Sequence, residues 1–276
     1  MENISKMPEF SILLNEETGN VTSFRSNLSN RDHLKHPYLV FLHGFNGSSK
    51  SWAFQQEHFN DRGVIAIDAP GFGESSKINK GMDAIVVEVA HLIRFLKIGR
   101  PVLVGHSMGG MTAQVLAAKY PDLFSALVLS CTHKGRGKPT GSPLSDDILE
   151  RIQQRKILNN EAYGDLRVRK MLEGYINPSV FSFLSDIAGE ITVDALECGG
   201  KAMQTLDTTP LLPSIEVPVT VITAEKDIVI SKDATMALIE GLPACRTTEL
   251  KGVGHAPYCE DPQAFNKVIE DLIATI

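Results

Sequence analysis

The chain predicts an α/β fold, a mainly parallel sheet covered by helices on both faces, and three observations predict it. Short β-branched runs alternate with amphipathic stretches through most of its length, the rhythm of strand–helix–strand units. Several of those runs, such as Val102-Leu103-Val104, are continuously apolar, as strands buried on both faces must be. With 276 residues, 43% of them hydrophobic and 22% charged, the chain can also bury a large core as one domain carrying an insertion.

Taken in order, strands are expected at Asn20–Ser26, Tyr38–His43, Val64–Asp68, Pro101–His106, Ala126–Cys131, Val217–Thr223 and Arg246–Leu250. Helices are expected near Ser51–Asn60, Met82–Lys97, Met108–Lys119, Lys232–Glu240 and Pro262–Thr275, the last with Asp261 as N-cap and proline in its first turn. The rhythm breaks between His133 and about Thr209. There, helix-forming charged segments such as Asp146–Leu158 and Tyr163–Tyr175 replace the strands. A stretch of that size is too long for a plain loop and carries too many periodic apolar residues for a linker, so it is read as a helical cap over the strand ends. Gly135, Gly137, Pro139, Gly141 and Pro143 mark its start, and Pro210, Pro213 and Pro218 its return. The expected organisation is a first core part, 1–132, the cap, 133–209, and a second core part, 210–276.

The net charge of −6, with no sustained Lys/Arg patch, argues against a nucleic-acid or anionic-membrane partner. Four cysteines, Cys131, Cys198, Cys245 and Cys259, have no Cys-x-x-Cys spacing and are too few for a disulfide framework, so free thiols are expected. The opening Met1–Pro8 lacks the apolar stretch of an export signal, and no apolar run is long enough to span a bilayer. A cytoplasmic monomer or homodimer is the expectation.

Chemistry enters with Gly105-His106-Ser107-Met108-Gly109-Gly110, between the apolar run at 101–104 and the helix-forming stretch at 112–118. A serine on a sharp strand-to-helix turn is forced into a strained conformation that exposes its hydroxyl, and only glycines fit beside it. A serine hydroxyl is a weak nucleophile, so a base and a group to fix that base are needed. Asp227 follows the strand at 217–223, and His255 lies in Gly252-Val253-Gly254-His255-Ala256-Pro257 after the last strand. Each falls where open α/β sheets gather ligands. Glu225, Glu260 and Asp261 compete with Asp227 as the third group, although a cap or a solvated loop accounts for them more simply.

These motifs, with His43-Gly44-Phe45 and Asp68-Ala69-Pro70-Gly71-Phe72-Gly73-Glu74-Ser75, resemble the α/β-hydrolase superfamily from about Tyr38 to the end of the chain. The closest texture is that of small cap-bearing serine esterases, enol-lactone hydrolases and cofactor-free haloperoxidases. The resemblance implies a cap inserted after the sixth strand, and an oxyanion hole built from the backbone N–H groups of Phe45 and Met108. It also implies a structural rather than catalytic His43. A serine at the elbow, where haloalkane dehalogenases and epoxide hydrolases carry a carboxylate, points to acyl transfer.

The expected activity is cleavage of a small carboxylic ester or lactone through an acyl-enzyme, with Ser107 as nucleophile, His255 as base and Asp227 orienting it. The alternatives are a carbon–carbon bond hydrolase of the same fold, or a ligand-binding receptor that keeps the pocket. No metal or organic cofactor is expected, because no His-Glu-x-x-His cluster and no Gly-x-Gly-x-x-Gly after a strand is present. Trp52, Phe181 and Phe183 are the expected substrate-contacting side chains, with Phe45, Phe72, Met108 and Met203 as further apolar candidates. Arg151, Arg155, Lys156, Arg167, Arg169 and Lys170 make a local positive excess in the cap; solvated charge is the simpler account, and pairing with a substrate carboxylate the alternative.

Overall fold

The computed structural model describes residues 7–174 and 176–276, without the side chains of Asn30, Arg31 and Asp32. Residues 1–6, read above for an export signal, and Tyr175, the expected end of a cap helix, lie outside the described residues. In chain order the sheet strands are β1 (Glu9–Leu14), β2 (Val21–Ser26), β3 (Lys35–Leu42), β4 (Arg62–Ile67), β5 (Val102–His106), β6 (Ala126–Ser130), β7 (Val219–Ala224) and β8 (Arg246–Leu250). They form one sheet in the order β1-β2-β4-β3-β5-β6-β7-β8. β1 and β2 run antiparallel at one edge, and every pairing from β4 to β8 is parallel.

The helices outside the insertion are α1 (Ala53–His58), α2 (Met82–Leu96), α3 (Met108–Lys119), α8 (Lys232–Gly241), α9 (Pro257–Glu260) and α10 (Pro262–Ile273). Between β6 and β7 lie the inserted helices α4 (Asp146–Ile157), α5 (Asn160–Arg169), α6 (Pro178–Gly189) and α7 (Val193–Thr205). The central strands β5 and β6 are buried along their whole length, which is why they read as unbroken apolar runs. One face of the sheet packs on α2 and α3 through residues such as Val86, Leu92, Val115 and Leu116, the other on α10 through Phe265 and Ile269. α10 starts as its sequence requires: the Asp261 side chain accepts from the Ala264 N–H at 3.0 Å, and Pro262 follows.

The insertion is closed at its base. The Gly137 N–H donates to the Leu206 carbonyl and the Thr208 N–H to the Lys134 carbonyl, so the outgoing and returning segments pair. Gly135, at φ +94°, brings its backbone so close to Leu206 that a Cβ would lie 2.1 Å from that carbonyl oxygen. Among the described residues no helix is long and apolar enough to cross a membrane.

Several elements depart from the sequence reading: α6, α7 and α9 match no helix named above, and β1 and α5 differ for identifiable reasons. β1 was not expected: it is an edge strand whose Phe10, Ile12 and Leu14 are exposed, so its alternation marks no buried face. The second insertion helix runs over Asn160–Arg169 instead of Tyr163–Tyr175, because the Asn159 side chain accepts from the Ala162 N–H and starts the helix three residues earlier.

Candidate active site

β5 delivers Ser107 to the start of α3. Its backbone stands at φ 52°, ψ −115°, a region that costs a non-glycine residue about 1–3 kcal/mol. The surroundings hold it there. The Ser107 N–H donates to the Ser130 carbonyl at 2.9 Å, and its own carbonyl accepts from the Thr132 hydroxyl at 2.7 Å. The flanking glycines are a steric necessity: a Cβ on Gly105 would meet the Gly109 carbonyl oxygen at 2.4 Å, and one on Gly109 the Leu42 oxygen at 2.1 Å. Gly44 is as constrained, because its Cβ would lie 2.9 Å from the His106 ring.

His255 reaches the same place from the loop after β8. Its Nδ1 lies 2.9 Å and 3.1 Å from the two oxygens of Asp227, on the loop after β7. Both side chains are almost fully buried. Asp227 Oδ1 also accepts from the Val229 and Ile230 N–H groups. Burial alone would raise the Asp227 carboxyl, but the His255 hydrogen bond and charge and those two N–H donors outweigh it and hold it below its ordinary value. An ionised Asp227 fixes the ring with Nδ1 protonated, leaving Nε2 as the lone-pair nitrogen.

The competing carboxylates are occupied elsewhere. Glu260 accepts from the Gly254 and Ala256 N–H groups at 2.9 and 3.0 Å, clamping the backbone on both sides of His255. Glu225 accepts from the Gly252 N–H at 2.8 Å, and Asp261 caps α10. Burial raises the Glu260 carboxyl, partly offset by those two N–H donors.

His43 is structural. Its Nε2 accepts from the Ala69 N–H at 2.9 Å, so Nδ1 carries the proton and donates to the Gly44 carbonyl at 2.8 Å. Burial keeps its pKa low. His106 packs against the rings of His255 and Tyr258, with centroids 4.8 and 4.9 Å away, and burial, then the neighbouring His255, lowers it well below its ordinary value.

Ser107 and His255 line one cavity with Gly44, Phe45, Asn46, Val168, Met171, Leu184 and Tyr258. A second depression, walled by Met111, His133, Met203 and Ile230, also reaches Ser107 and shares Phe45 and Arg151 with the first. Met108 opens α3, so its N–H is one of the unpaired donors of the helix's first turn, and Phe45 directly follows Gly44 in the cavity wall.

The expected aromatic contacts fall elsewhere. Trp52 is wholly buried against Phe41, Tyr258 and Phe265, centroids 4.8, 5.0 and 6.1 Å away, and is a core residue. Phe183 packs edge-on against Phe54, and Phe181, half-buried, lies beneath the Arg169 guanidinium. Of the basic residues, Arg155 is spent on the Ile191 and Leu158 carbonyls and the Asn160 side chain. Arg151, Arg167 and Lys170 line the cavity with Ser107. The sequence signal for these was the charge excess at 151–170; Tyr258 and Val229 carried none beyond lying within three residues of His255 and Asp227.

Cys131, Asp227 and His255 are the described residues whose donor atoms group most like a metal site, lying within 4.8 Å of one another. The set fits a metal poorly. Asp227 and His255 Nδ1 are spent on each other, and burial, then the Asp227 charge, pushes the Cys131 thiol well above its ordinary value, away from the thiolate a metal needs.

Comparisons with known proteins identify the family. The chain is 28% identical over 265 residues to a putative 2-succinyl-6-hydroxy-2,4-cyclohexadiene-1-carboxylate synthase of Bacillus subtilis, covering 86% of this chain and 90% of the relative. It is 26% identical over 242 residues to 3-oxoadipate enol-lactonase 2 of Acinetobacter baylyi, covering 86% and 88%. The crystal structure of the enol-lactonase from Burkholderia xenovorans LB400 superposes with a TM-score of 0.82 over 96% of this chain and all of that one, at 22% identity. Residues 39–268 match the alpha/beta hydrolase family, and the chain belongs to that family.

Proposed function

We propose that the protein hydrolyses a small carboxylic ester or lactone through an acyl-enzyme. The observation that carries this reading is the convergence in one cavity of a strained, glycine-flanked Ser107 and a His255 whose Nδ1 is bonded to Asp227. Ser107 Oγ attacks the carbonyl carbon while His255 Nε2 takes its proton. The Phe45 and Met108 N–H groups receive the oxyanion of the tetrahedral intermediate, at the positive end of α3. Collapse breaks the bond to the alkoxy oxygen, which takes the proton back from His255. Water then attacks the acyl-serine, its proton passes to His255, and the acid leaves as Ser107 is reprotonated. Asp227 stays ionised and stabilises the transient imidazolium.

A fluorophosphonate probe tests the reading directly. Stoichiometric labelling of Ser107, with turnover of p-nitrophenyl esters or an enol-lactone that survives EDTA, is the expected result. No labelling would favour a receptor, turnover confined to 1,5-diketones a carbon–carbon bond hydrolase, and loss of activity with EDTA a metal-assisted mechanism.

A further inference from the structure

Arg167 is 3% exposed, on α5, and lines the cavity that holds Ser107 and His255. One of its terminal nitrogens donates to Gln154 Oε1 at 2.7 Å, and its Nε is buried with no hydrogen-bond partner. Arg151, on α4, lines the same cavity; it donates to Asn46 Oδ1 at 3.0 Å and lies 5.2 Å from the centre of the Phe45 ring. Among the described residues neither guanidinium forms an ion pair. The acids nearby are committed elsewhere, Glu150 to Lys170 at 2.7 Å and Asp147 to Arg136 at 3.1 Å. Burial lowers the Arg151 guanidinium, and the positive charge of Arg167 adds to the effect. An arginine nevertheless stays charged in a protein, so two like charges, one buried and one half-buried, share this wall, with Asp147 and Glu150 acting on them from a distance and not as ion-pair partners.

Uncompensated buried charge is costly unless something neutralises it, and a planar guanidinium offers paired N–H donors that match a carboxylate. We propose that Arg151 and Arg167 form an anion subsite, and that the ester or lactone opened at Ser107 carries a free carboxylate seated there. The inference rests on the hydrolase reading for its substrate and on the two arginines for its anion. Phe45 links them, contributing its N–H to the oxyanion side and its ring to Arg151. The subsite would orient the scissile carbonyl by holding the far end of the molecule.

Mono-p-nitrophenyl glutarate and p-nitrophenyl pentanoate, equal in acyl length and different in charge, provide the kinetic test. In Arg151→Gln and Arg167→Gln, kcat/KM for the acidic ester relative to the neutral one should fall at least about tenfold, mainly through KM, with partial recovery in Arg167→Lys. A ratio unchanged in the folded variants overturns the subsite. Calorimetric titration of Ser107→Ala with glutarate reads the anion site without turnover: binding that weakens at least about tenfold in Ser107→Ala/Arg151→Gln supports it, and no binding, or binding indifferent to the arginines, overturns it. If Ser107 is unlabelled by fluorophosphonate while glutarate still binds through the arginines, the hydrolase reading fails and the anion site stands. If neutral esters are turned over and glutarate does not bind, the reverse holds.

Discussion

At the scale of single residues the proposed mechanism makes Ser107, Asp227 and His255 a unit, because each needs the proton path the others complete. Ser107→Ala and His255→Ala should each remove most turnover, and the double variant should lose little more than either alone. Steady-state kinetics of the three variants checks this, and additive losses would break the assignment. Asp227→Asn should remain folded and lose about 10⁴ in kcat, since an amide that donates to the ring favours the wrong tautomer. On the same mechanism Glu260 is expected to act as a positioning residue. Its carboxylate takes up the N–H groups on both sides of His255, and Glu260→Ala leaves two donors unpaired at about 1–3 kcal/mol each. We expect kcat to fall with KM little changed in that variant, and partial recovery in Glu260→Gln, which keeps one acceptor. The convergence of Ser107, Asp227 and His255 was legible in the sequence because strand ends and glycines fix where such residues must lie. Trp52 was not, since an aromatic residue after a turn reads the same whether it faces a ligand or, as here, Phe41 and Tyr258.

Between elements, the closest approach within the insertion is that of α5 and α6. A Cβ on Gly164 would stand 2.0 Å from the Ser185 carbonyl oxygen, and one on Gly189 2.4 Å from that of Asn160, so the two helices touch backbone to backbone. Arg167 sits three residues after Gly164 on α5, and Leu184 and Ala188 on α6 line the cavity it faces. Gly164→Ala must therefore part the helices, at about 1–3 kcal/mol, or roughly 2–10 °C in Tm. If the two helices carry the anion subsite, the same variant also lowers preference for the acidic ester; thermal denaturation and the substrate ratio check the two consequences separately. The sequence foretold helices here and could not foretell this contact. A glycine within a helical pattern reveals no partner, and the 3.6-residue period of α5 does not say which of Arg167 and Arg169 turns inward. β1 escaped for a related reason: the edge strand exposes its alternating Phe10, Ile12 and Leu14, leaving periodicity without burial to confirm it.

The whole molecule carries a pH dependence set by histidines that must be buried neutral. His43 and His106 are wholly enclosed, and burial is the largest influence lowering each; His133 is lowered for the same reason. In the unfolded chain these rings take up protons as pH falls through about 6.5, while in the folded protein they resist until lower pH. The unfolded state then binds more protons, so stability is full above that value and is lost as pH falls below it, by up to about 1.4 kcal/mol per pH unit for each histidine. Glu260 acts in the opposite sense, since its raised carboxyl favours the folded state only where it is protonated, at pH nearer the ordinary carboxylate range. Between pH 7 and 5.5 the histidines dominate. Tm should be flat from pH 8 to 7 and fall by several degrees by pH 5.5, before carboxylates titrate broadly. His43→Gln supplies the internal control: whatever it costs at pH 8, where the Ala69 N–H loses its ring acceptor, its Tm should fall less steeply with acidification than that of the wild type. A wild-type Tm indifferent to pH in that window would mean that these rings are not held neutral by the fold.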